Sequence, residues 1–96
     1  MTTIEVIVTG GIAPIPIKVV IDNLNNNEDL TFKREFSFKE KFDLTTGEYL
    51  ITITGMNPSD GTTEMRVSGT FDDGPDPADH HIVSTRFYSK FFYIKL

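Results

Sequence analysis

Four carboxylates fall within eight residues at Asp72-Asp73-Gly74-Pro75-Asp76-Pro77-Ala78-Asp79. Carboxylate oxygens around a glycine bend suit Ca²⁺, which makes Asp72, Asp73, Asp76 and Asp79 the candidate metal ligands. Their spacing departs from the EF-hand pattern, so the plainer account comes first. That account is a solvated acidic loop whose charge discourages edge-to-edge pairing of strands. His80-His81 follow directly. Neighbouring strand residues point to opposite faces, so the two imidazoles are a poor chelating pair for Zn²⁺. A polar strand entry or a pH-sensitive surface pair is expected instead.

A second concentration of chemistry lies at the C-terminus, where Phe87, Tyr88, Phe91, Phe92 and Tyr93 crowd together before Ile94 and Leu96. Strand alternation puts Phe92, Ile94 and Leu96 on one face and Phe91 and Tyr93 on the other. One face is core. Because aromatics are mostly buried, cover for the second face is the first account, by a packed layer or by the connector Ile12 to Pro16. Left open, it is an aromatic patch for a protein partner or a sugar ring. Phe87, Tyr88, Phe91 and Tyr93 are then the candidate ligand-binding residues. The chain has no tryptophan, which counts against an oligosaccharide.

Catalytic patterns are absent. There is no Gly-x-Ser-x-Gly elbow, no cysteine nucleophile and no phosphate-cradling glycine loop. Glu40, Glu48 and Glu64 cannot be paired as acid and base from their positions in the sequence. A small hydrolase is the enzyme-class alternative to a non-catalytic module.

Composition narrows the partners. A net charge of −5 with scattered basic residues lacks the stripe that nucleic acid or an anionic membrane requires. No run approaches the roughly 18 apolar residues of a membrane helix, and Met1-Thr-Thr-Ile-Glu5 has no basic or apolar leader region. The expectation is a cytoplasmic protein if this is the full native chain. A mature or excised module would be extracellular or periplasmic. With no cysteine there is no disulfide or thiolate metal site.

The elements that would position these residues are strands throughout. Thr2–Gly10 alternates with Ile4, Val6 and Val8 inward, and a stiff connector holding Pro14 and Pro16 follows. Ile17–Asp22 turns Ile17, Val19 and Ile21 inward, with Val20 opposite as the mark of a central strand. Asn23–Asp29 is a loop by composition. Leu30–Phe38 reads as one strand with Phe32, Phe36 and Phe38 inward. Arg34 shares that row, so a bulge or a snorkelling stem is expected there. The Tyr49–Gly55 strand carries Tyr49, Ile51 and Ile53 on one face. Thr62–Phe71 points Thr63, Met65, Val67 and Phe71 inward. Ile82–Leu96 is strand-like throughout, with a bend or bulge near Ser89. No segment offers a capped helical stripe.

Phe42-Asp-Leu44, followed by Thr-Thr-Gly47-Glu-Tyr49-Leu-Ile51-Thr-Ile53, resembles a phrase of small bacterial immunoglobulin-like modules. These are the transthyretin-like, carboxypeptidase-regulatory-like and collagen-adhesin-B-type sandwiches. The resemblance implies that Tyr49 packs at the corner between the sheets, as the corner tyrosine of immunoglobulin folds does. Gly10-Gly11-Ile-Ala-Pro14-Ile-Pro16 lacks the phrase those modules carry after their first strand, and nothing marks an isopeptide triad.

The reading is therefore one domain over residues 1–96, an all-β immunoglobulin-like or transthyretin-like antiparallel β-sandwich of about seven strands. The function expected is a non-catalytic interaction or accessory module. It would bind a protein partner through an edge strand or the C-terminal aromatic face. The alternative is a carbohydrate-binding module with a structural Ca²⁺.

Overall fold

The computed structural model describes all 96 residues. Nine strands form two antiparallel sheets: β1 (Thr2–Thr9), β2 (Ile17–Asn23), β3 (Asp29–Arg34), β4 (Phe38–Phe42), β5 (Glu48–Met56), β6 (Thr62–Ser68), β7 (Asp73–Asp76), β8 (His80–Val83) and β9 (Phe87–Lys95). One sheet has the order β4-β1-β6-β8 and the other β3-β2-β5-β9-β7. The all-β sandwich expected from strand alternation is the fold found.

Period-two alternation builds the core directly. Ile4 and Val6 of β1, Ile17, Val19 and Ile21 of β2, and Ile51 and Ile53 of β5 are buried. Met65 and Val67 of β6, beside β1, and Phe92 and Ile94 of β9, beside β5, complete the two inner faces. Val8, Phe32 and Phe71 pack half-buried at its margin.

Nine strands are found where about seven are expected, and each of the three additions to the six stretches named from alternation has a local reason. The stretch 30–38 is two strands, because the chain leaves the five-stranded sheet after Arg34 and joins the other at Phe38. Phe36 sits on that crossing and is 63% exposed, so its assignment to the core is corrected. The acidic segment 72–79 contains β7, a short edge strand beside β9, with cis peptide bonds at Gly74–Pro75 and Asp76–Pro77. The C-terminal stretch breaks at Ser84–Arg86, whereas β9 pairs with β5 without interruption through Ser89. Phe71 and Thr70 lie beyond the end of β6.

Arg34 is not displaced by a bulge. It stays in register opposite Ile17 and reaches from the edge of one sheet to the edge of the other. There it donates to both carboxylate oxygens of Glu40, at 2.6 and 2.7 Å. Its guanidinium lies 4.6 Å from the Phe32 ring centre, and Phe32 stacks on Phe42. An aromatic cluster under a bidentate ion pair thus closes this side of the sandwich.

Tyr49 is buried, and its hydroxyl donates to the Thr45 carbonyl at 2.9 Å. That bond back to upstream backbone is the corner geometry the resemblance implied. Gly47, with φ near +151°, lets the preceding turn pass against Asn25, whose Oδ1 occupies the space a β-carbon would need. The same Oδ1 accepts from the Glu48 amide at 2.7 Å. Asn23 and Asn26 cap amides two residues on, which is how the Asn-rich loop satisfies its backbone.

Candidate functional site

The outer face of the five-stranded sheet is an open surface on which large aromatic side chains are exposed. Its rows follow from strand register, since directly paired residues share a face. One row is Thr31, Val20, Thr52 and Phe91. To one side lies Lys33, Lys18, Thr54 and Ser89, and to the other Asp29, Asp22, Leu50 and Tyr93. Phe87 pairs with Met56 at the far end of β9.

Phe91 is 52% and Phe87 67% exposed on this face, and Tyr93 is half-buried beside them. The Tyr93 hydroxyl donates to Glu48 at 3.0 Å, which fixes the ring against the sheet. Desolvation and the neighbouring Glu48 carboxylate push its pKa above 10.0. The connector 12–16 lies elsewhere: it flanks Phe36, forming two adjoining clefts of about 260 and 140 Å³. It does not cover the aromatic strip.

Tyr88 does not belong to that face. With no bend at Ser89, it keeps the parity of Phe92 and turns inward, 6% exposed. Its ring crosses Gly55 on the paired strand, with the hydroxyl where a β-carbon of residue 55 would stand. Burial pushes the Tyr88 hydroxyl above its ordinary pKa of 10.0. Of the four residues proposed from sequence, three share an accessible face and Tyr88 is core.

The acidic segment is spread along an edge. Asp73 pairs with Lys95 and Asp76 with Tyr93, and the Asp73 carboxylate accepts from the Gly74 amide. Asp72 and Asp79 flank the strand outside it. No group of three or more His, Cys, Asp or Glu side chains is placed to hold a metal ion. His80 faces outward with Nε2 3.2 Å from Glu64 Oε1. His81 faces inward with its ring 5.1 Å from that of Phe92. Desolvation first, then Lys90 and His80, hold its pKa below 6.5. Glu40, Glu48 and Glu64 engage Arg34, Tyr93 and His80 respectively, on three different surfaces.

Asn57 carries no motif, and nothing in the sequence marks it as a functional residue. It is 1% exposed, and its amide donates to the carbonyls of Val83 and Thr85 while its oxygen accepts from Thr63. Its backbone amide donates to the Arg86 carbonyl. One side chain therefore anchors the β8–β9 crossing that aims Phe87 and starts β9. Only the polar residue in Met56-Asn57-Pro58, between two strands, hinted at such a staple.

The fold and this face define a two-sheet antiparallel β-sandwich with an exposed aromatic strip on its larger sheet. Comparison with family models, with characterised proteins and with solved structures finds no match for the chain.

Proposed function

We propose that this domain is a non-catalytic binding module that docks a protein partner on the outer face of its five-stranded sheet. The observation that carries the reading is the exposure of Phe91 and Phe87 beside Tyr93 on an uncovered sheet face. Exposed large aromatics grouped on one face are the anchors that protein interfaces favour. An immunoglobulin-like kinship is part of the same proposal, and the Tyr49 corner bond supports it.

The edge strands are the weaker docking route. β4 exposes Lys39 and Lys41, β3 exposes Asp29 and Lys33, β7 holds Pro75 between Asp73 and Asp76, and β8, the fourth edge, is only 4 residues long. Charged side chains and proline are the devices by which proteins keep edges from pairing. The face, not the edge, is the docking surface.

A photo-reactive phenylalanine analogue at position 87, with a control at the equally exposed Ile82 on the opposite sheet, tests this. Specific protein adducts from position 87 and none from 82 are expected. Adducts from 82 alone, or from neither, would overturn the reading.

A further inference from the structure

Charge on the candidate face is segregated in a way the single domain does not resolve. Lys18 and Lys33 are direct cross-strand partners, as are Asp22 and Asp29. Like charges directly opposite one another in a sheet are unfavourable. Neither pair is compensated on its own row: the remaining members are Thr54 and Ser89 on the first, and Leu50, Tyr93 and a further acid, Asp76, on the second. Hydrogen bonding to Asp29, followed by desolvation and that residue's charge, holds the Asp22 carboxyl above 3.8.

The two pairs are placed symmetrically. On β2, Lys18 and Asp22 each lie two residues from Val20. On β3, Lys33 and Asp29 each lie two residues from Thr31. The row Thr31-Val20-Thr52-Phe91 is therefore the midline of a face that is basic at one end and acidic at the other. A half-turn about a line above that row inverts the face and exchanges its ends. It would lay Lys18 and Lys33 over Asp22 and Asp29 of a second copy, twice, with Phe91 meeting Phe91 on the axis. Such an isologous contact needs a self-complementary patch, and sheet faces stack about 10 Å apart, within reach of a lysine meeting an aspartate.

We infer that the partner on this face is a second copy of the chain, docked face to face about a two-fold axis along the Val20–Phe91 row. This rests on the face being the docking surface and names its occupant. Five strands averaging 7 residues offer on the order of 500 Å² per copy, the small end of specific interfaces. The dimer therefore forms at micromolar to submillimolar chain concentration rather than below it.

The test is sedimentation equilibrium of the full chain and two charge-reversed variants, each first checked for native melting. Along β2 and β3, Lys18→Glu/Lys33→Glu makes both ends acidic, and Asp22→Lys/Asp29→Lys makes both basic. The wild type is expected to dimerise and each variant alone to dimerise about tenfold or more weakly. The mixture is expected to form a one-to-one heterodimer at least as tight as the wild-type dimer. A wild type that stays monomeric at submillimolar concentration overturns the inference. So does a dimer indifferent to these charges, or a mixture that fails to associate. The cross-linking at position 87 separates the two levels. Adducts with a different protein, alongside a monomeric wild type, remove the second copy as the partner and leave the docking face standing.

Discussion

The two outer faces of the sandwich carry both signs of charge and arrange them differently. Across the four-stranded sheet, Lys39, Glu5, Arg66 and His80 lie on one row, so that the acid stands between two bases. Glu64, on the next outward position of β6, comes within 3.2 Å of His80. Across the five-stranded sheet two rows hold Lys33 beside Lys18 and Asp29 beside Asp22, and only the row at its acidic end alternates, with Lys95 between Glu48 and Asp73. The apolar residues differ too. Ile7 and Ile82 are separated by Glu64 on the first face, whereas Phe91, Tyr93 and Phe87 are gathered along β9 on the second. The first face is arranged for the stability of the isolated domain. The β2–β3 part of the second is arranged at some expense to it, and that expense is what the proposed docking would recover.

The sharpest way to break this contrast is to compare neighbours on β9. Phe92 is fully buried and Phe91 is 52% exposed, on the same strand and one residue apart. Phe92→Ala is expected to cost about 3–5 kcal/mol, and Phe91→Ala within about 0.5 kcal/mol in the monomer. Urea unfolding of both variants at low chain concentration measures the pair. Equal costs would mean that Phe91 is covered within the domain and that its face is not open.

Asn57→Ala comes next. It leaves the Val83 and Thr85 carbonyls and the Thr63 hydroxyl without the partner they now share, at a cost of about 2–4 kcal/mol. The expected local signature is faster amide exchange at Arg86–Tyr88 than across β1 and β6. Uniform loss of protection would show that Asn57 supports the whole core and not the aromatic strip in particular.

What the sequence made legible follows the same division. Strands with one buried face announce themselves by alternation, so Ile4/Val6, Ile51/Ile53 and Met65/Val67 were readable as core. Tyr49 was readable because its turn and strand come together in one short phrase. Alternation says nothing about where a chain changes sheets. Phe32, Phe36 and Phe38 share a parity, yet the crossing at 35–37 leaves Phe36 outside while Phe32 and Phe38 pack edge to face. The break at Ser84–Arg86 carries no proline or glycine to mark it, so the sequence points to a bend near Ser89 instead, which puts Tyr88 on the wrong face. The paired lysines and paired aspartates were invisible for a different reason. They lie on separate strands, and only the β2–β3 register brings them together.

Phe36→Ala sharpens the same point at smaller scale. A buried phenylalanine would cost about 3–5 kcal/mol. On the crossing, beside the 12–16 connector, the expected loss is below about 1 kcal/mol. A larger loss in thermal or urea unfolding would restore Phe36 to the core and merge β3 with β4.

The smallest effect tests the contrast most directly, because its sign differs between the faces. Asp29→Asn removes a like charge from beside Asp22 and is expected to raise the melting temperature of the monomer. Glu5→Gln removes an acid from between Lys39 and Arg66 and is expected to lower it. The pH dependence follows from the direction of the Asp22 shift. Its folded pKa lies above the ordinary 3.8, so between those values the folded state holds more of the proton than the unfolded state. Stability from this group therefore falls as pH rises through that window. The deficit is complete above the raised value and absent below 3.8. The melting-temperature advantage of Asp29→Asn over the wild type should accordingly be present at neutral pH and close as pH falls toward 3.8. An advantage that stays constant with pH would mean that the substitution stabilises β3 by some route other than relief of the paired charges. The face would then lose its claim to be charged at the expense of the isolated domain.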